Sequence, residues 1–561
     1  MASDLLMQSS APDNLLMPSS SKLSTMTNDL QALLETTGSS SADVPEAEAL
    51  TALILSATQD AGAPIVPLSR IYTALCHAPS SIKDDLDTLT LVPCLLPCLQ
   101  PAADEILAVI GECASAKETV IAVQEALEHL SVLLETEELD EEQPGQRSKA
   151  DQLILLVKLC SSAVPRLRLR KKSPSETIQP LVQQLQSNIA LLATSLDKDQ
   201  GHDVLDAVAS LALNTYRWAK MVGSEDAVGC SVILDGLLDT TLSNCSHCIQ
   251  SSLAQRTFMS LYPRLVFRST MSSDWERGEE AVMNVKATAF SSWGHDFGSP
   301  TLTSLIILAH SDMPPAEAHS ILTRQQPVLL SCLTTNEALD ECLALLMKTL
   351  PNIASLDLET IAPLSGLLSV LASNHPDDQT RHHAFRILSL VLKHSPVELR
   401  MQILQDLTTD ADFPQLRVAA IGLVKEAVLD ALATANKPNL FASPKLLQAF
   451  GPVLFRPDPI DLFSSADVTL DDLRESHEPA RITECLSLYY VLLVRDTGNR
   501  TGIRDRDQIS NIEKTLLTPI RRTLSRWMSA DDTHSHIAAI LPIVSLKTSL
   551  ERVDSALQNV G

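Results

Sequence analysis

Cys245-Ser246-His247-Cys248 is the grouping in this chain best suited to chemistry. Two thiols at C-x-x-C spacing can ligate zinc or cycle between dithiol and disulfide. A closed zinc site needs two further ligands, and the chain has no second C-x-x-C and no H-x-x-H. His202 or Cys230 could complete a set only through folding. Structural thiols in a helical region are therefore the plainer expectation, with Cys245 and Cys248 kept as the redox candidates. Cys94 and Cys98 lie four apart on an apolar stretch, so they are expected to share a helix face and pack in a core. Trp293-Gly294-His295-Asp296-Phe297-Gly298 joins His to Asp without a third ligand and reads as an inter-helix turn. His382-His383 are adjacent on a predicted helix and point to different faces, a poor metal pair. The chain carries no P-loop, G-x-G-x-x-G, G-x-S-x-G or H-E-x-x-H. With no paired acid and base and no activated nucleophile, no enzyme, cofactor or metal site is expected.

The elements that must hold these residues are helical. Of 561 residues, 45% are apolar but only 3% aromatic, and 17 Gly stand against 31 Pro. Sheets favour aromatic and β-branched residues, and their turns use Gly. A Leu- and Ala-rich chain punctuated by Pro predicts many helices with Pro at their boundaries. The net charge of −26 repels phosphate and disfavours nucleic acid as a partner. Eleven scattered cysteines read as reduced thiols of a cytoplasmic, or also nuclear, protein. Met1 to Lys22 lacks the basic start and apolar core of a secretory signal. The most apolar stretch, Leu89 to Leu99, holds two prolines and falls short of the roughly 20 residues a membrane span needs. No membrane contact is expected, and a monomer is.

Three regions follow: a disordered tail over 1–44, an N-terminal helical-repeat region over 45–300, and a C-terminal one over 301–561. The acidic run 135–149 is expected as a solvated loop between helices. The basic run Arg166 to Lys172 reads as a nuclear-entry or anion-binding segment, or as a solvated helix end or loop that pairs with the acidic run. Ser173-Pro174-Ser175-Glu176 predicts a capping box, followed by an apolar stripe at Ile178, Leu181, Val182, Leu185, Ile189 and Leu192. Ser395-Pro396-Val397-Glu398 predicts a second such start. Asp378-Gln379-Thr380-Arg381-His382-His383-Ala384 is echoed by Asp412-Phe413-Pro414-Gln415-Leu416-Arg417 and Ala420, with Arg to Arg and Ala to Ala both 36 residues apart. Asp, Arg and then a small Ala entering an apolar helix is a HEAT-like pattern. The predicted class is all-α, an α-solenoid of HEAT/armadillo-like repeats.

Near the C-terminus an apolar helix, Ile482 to Val494, runs into Arg495-Asp496-Thr497-Gly498-Asn499-Arg500-Thr501-Gly502-Ile503-Arg504-Asp505. Charged groups crowd between two glycines, and a new helix carrying Ile509, Ile512, Leu516, Leu517 and Ile520 follows. Composition alone leaves a solvated loop and a binding ridge both open. Leu486 to Asp496, then Asn499-Arg500-Thr501-Gly502-Ile503, then Leu517-Thr518-Pro519-Ile520, resembles the C-terminal region of glomulin. Pro165-Arg166-Leu167-Arg168 is similar to a phrase in fungal Yap-binding proteins. These and the plant aberrant-lateral-root-formation protein form one superfamily of helical-repeat proteins. The resemblance implies a non-enzymatic adaptor that caps the RING-box subunit of cullin-RING ubiquitin ligases and blocks docking of the ubiquitin-conjugating enzyme. Arg495, Asp496, Asn499, Arg500, Thr501, Gly502 and Arg504 match that turn and are the candidate contact residues. Gly498 and the short Asp-Thr-Gly spacing make it more compact than the animal pattern. The superfamily also implies an alternative, the escort of a bZIP oxidative-stress regulator, in which Cys245 and Cys248 would matter. A general scaffolding or transport solenoid for basic cargo fits the composition as well.

Overall fold

The computed structural model describes residues 45–59, 66–136, 145–223, 226–265, 274–293, 299–410, 412–434, 438–463, 476–528 and 541–559. The tail expected over 1–44, residues 137–144 of the acidic loop and residues 294–298 of the Trp-Gly-His-Asp turn lie outside them. Among the described residues the regular structure is all helical. The first helices are α1 (Glu46–Gln59), α2 (Leu68–His77), α3 (Ser80–Asp84), α4 (Thr88–Leu95), α5 (Ala103–Cys113), α6 (Ala116–Thr136), α7 (Lys149–Ala163), α8 (Pro174–Leu192), α9 (Lys198–Val222), α10 (Ala227–Asn244), α11 (Ser246–Ile249) and α12 (Leu253–Leu261). Then come α13 (Trp275–Trp293), α14 (Leu302–Ala309), α15 (Ala318–Thr335), α16 (Leu339–Thr349), α17 (Leu358–Asn374), α18 (Asp378–Lys393), α19 (Val397–Thr409), α20 (Pro414–Ala433), α21 (Lys445–Leu454), α22 (Glu478–Arg495), α23 (Arg506–Ile512), α24 (Thr518–Met528) and α25 (Leu541–Gln558). No described helix is long and apolar enough to cross a membrane. The helices form two units. One is built from α1 to α11 with α13 and α14, the other from α12 with α15 to α25.

In the first unit, α8 starts as its sequence dictates. Ser173 Oγ accepts from the Glu176 N–H at 3.2 Å, and Glu176 Oε2 accepts from the Ser173 N–H at 3.0 Å. The six apolar positions of its stripe are all buried, against α6 and α10. Cys94 and Cys98 do not share a helix, because α4 stops at Leu95, before Pro97. The Cys98 carbonyl instead accepts from Arg147 Nη2 at 2.8 Å.

The basic run does not meet the described ends of the acidic one. The acidic run leads into the N-terminus of α7 and the basic run leaves its C-terminus. Fifteen helical residues separate them by about 22 Å. Arg166 donates to the carbonyls of Gly111 at 2.6 Å, Ala114 at 2.7 Å and Cys113 at 3.2 Å, capping α5 where its carbonyls lack helical partners. Arg168, Arg170, Lys171 and Lys172 are exposed. Arg166→Ala removes every one of those bonds, so a loss of about 2 kcal/mol is expected. Urea unfolding measures it; an unchanged midpoint would show that water caps the helix equally well.

In the second unit, the repeated Arg and Ala have matching jobs. Arg381 donates to the His375 carbonyl at 2.6 Å, just past the end of α17. Arg417 Nε donates to the Thr408 carbonyl at 3.0 Å, at the end of α19. Each arginine thus ties its helix to the end of the preceding one. Ala384 and Ala420 are fully buried. The second expected capping box is absent: Ser395 Oγ turns back to the Val391 carbonyl at 2.7 Å, and α19 starts after Pro396 without a side-chain cap. The helix expected after the turn is split, with a π-helical stretch at Glu513–Leu517 between α23 and α24. Ile512, Leu516, Leu517 and Ile520 all remain buried.

Candidate functional site

The C-x-x-C segment joins α10 to α11 and is enclosed. Cys245 is 0% and Cys248 1% exposed. Burial pushes the Cys245 thiol up to about 12, and burial with the Asp197 carboxylate pushes Cys248 up to about 11. Both are protonated at neutral pH, which disfavours thiol–disulfide exchange through either. His202 Nε2 lies 3.3 Å from the Ile249 carbonyl oxygen. Two glycines admit this tight packing. A Cβ on Gly201 of α9 would fall 2.3 Å from Cys248 Cβ, and one on Gly278 of α13 would fall 1.8 Å from the Ile249 oxygen. Among the described residues, no three His, Cys, Asp or Glu side chains are placed to hold a metal ion. Both thiols are packed, and Cys248 Sγ also lies 3.2 Å from His247 Nε2.

The turn after α22 is differently made. Asp496 is 1% exposed. Its Oδ1 accepts from the Arg500 N–H at 2.8 Å, and its Oδ2 accepts from the Thr501 N–H at 2.8 Å and the Thr501 hydroxyl at 2.6 Å. Asn499 takes the left-handed region with φ 51°, and Gly502 does so with φ 81°. Asn tolerates that region better than most residues and Gly adopts it freely. Asn499 Oδ1 accepts from the Arg504 N–H at 2.9 Å, while its Nδ2 donates to Asp505 Oδ1 at 2.8 Å. Arg504 reaches back to the Leu493 carbonyl, and Arg500 makes a long contact of 3.5 Å with the Ala431 carbonyl.

The seven candidate residues therefore lie together but are placed differently. Asp496 and Thr501 are buried and build the turn, with Asn499 and Gly502 setting its backbone. Arg504 pins it to α22. Arg495 is exposed and Arg500 half-buried. The result is a surface turn fixed by its own hydrogen bonds, with Arg495 and Asp505 exposed on it.

Sequence reasoning missed what holds α22 beneath the turn. Arg481 is 2% and Glu478 5% exposed, bonded at 2.5 and 2.6 Å. Arg481 also donates to the Val453 and Arg456 carbonyls, both at 2.7 Å. Glu478 accepts from the Asp458 N–H at 2.8 Å. The available signal was an opposite-charge pair three residues apart on the apolar side of a helix.

All-α architecture among the described residues and a surface turn fixed by its own hydrogen bonds define the class as an all-helical protein. Residues 320–553 match a family model described as "Uncharacterised protein family, YAP/Alf4/glomulin". That match, which takes in the turn, supports a place in the glomulin/Yap-binding superfamily and an adaptor-like, protein-binding role. No curated protein matches the chain.

Proposed function

We propose that the chain is a helical-repeat adaptor that docks the turn 495–505 on a RING-box subunit of a cullin-RING ubiquitin ligase and blocks access of the ubiquitin-conjugating enzyme. The observation that carries it is the construction of the turn. Asp496 and Asn499 hold the backbone in one shape while Arg495 stays free for a partner. Preorganisation of this kind lowers the ordering cost of binding. The repeated arginine ties at Arg381 and Arg417 support stacking of helix pairs as a solenoid. Cytoplasmic location, with nuclear access, belongs to the same proposal. The bZIP-escort alternative draws less support, since Cys245 and Cys248 are buried and protonated.

A titration against a purified cullin–RING-box complex tests it. Binding with Kd below about 1 µM is expected, weakened at least about 10-fold by Arg495→Glu. No binding at about 50 µM, or binding indifferent to that change, would overturn the proposal.

A further inference from the structure

We propose that a groove beside the turn, in the second unit, receives a short acidic segment of a partner protein in extended form. It measures about 890 Å³, within the size range of ligand pockets. Its walls are the first turn of α19, the 438–444 connection, the first turn of α21 and Arg500. Arg500 belongs to both surfaces, so the inference rests on the reading of the turn as a docking surface.

The lining has the chemistry of a carboxylate receiver. Lys445 is exposed, and its ammonium has no hydrogen-bond or ion-pair partner among the described residues. The Arg500 guanidinium has only its 3.5 Å contact with the Ala431 carbonyl. Glu398 is the one carboxylate in the lining. Two under-used cations against one acid is a local reversal in a chain of net charge −26. The helix starts add to it: α19 begins after Pro396 and α21 after Pro444, neither with a side-chain cap. Their first N–H groups carry partial positive charge along the same wall. Gln448 offers an exposed amide for a peptide backbone, and Leu440 adds apolar contact. A nucleic acid would meet the repulsion of the whole chain, whereas a short peptide places its carboxylates in the groove alone.

The test is fluorescence anisotropy on the full chain with a labelled probe peptide, acetyl-Asp-Glu-Leu-Asp-Glu-Pro-Asp-Glu. Lys445→Glu and Arg500→Glu are each expected to weaken binding about 10-fold. Lys514→Glu, the same charge change at an exposed lysine outside the groove, should leave it within about 2-fold. A peptide with Lys for every acid, drawn to the net charge of −26, should lose no affinity on Lys445→Glu. Equal losses in all three variants would show attraction to net charge and overturn the groove, as would binding indifferent to Lys445→Glu. The two proposals fail separately. Arg495→Glu interrogates the RING-box contact without touching the groove lining, and Lys445→Glu interrogates the groove without touching the turn. RING-box binding without peptide binding would leave the docking turn standing and remove the acidic segment.

Discussion

Glu478→Ala is expected to lower the unfolding free energy by about 3–5 kcal/mol. The change leaves the Arg481 guanidinium charged, 2% exposed and without its counter-ion. The Val453 and Arg456 carbonyls still accept from it, but they are neutral and cannot balance the charge in a dry site. The Asp458 N–H loses its acceptor as well. Replacing both members by apolar residues, Glu478→Leu with Arg481→Met, should recover most of the loss, because the penalty lies in the orphaned charge. Urea unfolding of the three chains decides it. A single-variant loss under about 1 kcal/mol would mean that water reaches Arg481 and the pair is not buried in solution.

Asp496→Ala should cost about 3 kcal/mol and, with it, binding of the protein partner. One carboxylate satisfies two backbone N–H groups and a hydroxyl, and Thr501 is fully buried with no route to water. Without that acceptor the turn loses its fixed shape, although no exposed contact residue has changed. Asp496→Asn should fall between, since an amide keeps one acceptor but turns a donor toward the Arg500 or Thr501 side. Amide exchange at Arg500 and Thr501, beside the urea midpoint, reports the loosening directly. Slow exchange in the alanine variant would show that the backbone holds the turn unaided.

The helices were legible because local chemistry decides them. The Ser173 capping box and the stripe from Ile178 to Leu192 required nothing beyond neighbours in sequence. The arginine ties were legible for a similar reason: Arg381 and Arg417 each act within ten residues. The turn was legible as a place, from its charges and glycines, but not as a division of labour. Asp496 and Arg495 are adjacent charged residues, and only the path of the chain decides that one is buried and the other free. Ser395 misled for a comparable reason, since its hydroxyl had a competing carbonyl on the preceding helix. The groove could not be read at all. It joins residues from 397 to 500 on separate elements, and no spacing in the sequence announces that.

The second unit begins well before the stretch that matches the family model. Its helix α12 starts with Leu253 and Ala254, whose N–H groups are capped by the Asp340 carboxylate at 2.5 and 2.9 Å. Gln255 lies 2.8 Å from His383, and Arg386 stacks over Tyr262 at 4.5 Å. A fragment cut at residue 320 would carry the family's signature while lacking one of its own core helices. During synthesis the order has a temporal form. The cap for α12 lies 87 residues downstream of Leu253, which at 5–20 residues per second is about 4–17 s of translation. For that interval α12 leaves the ribosome with an open end, and the second unit closes only when chain far downstream arrives to receive it.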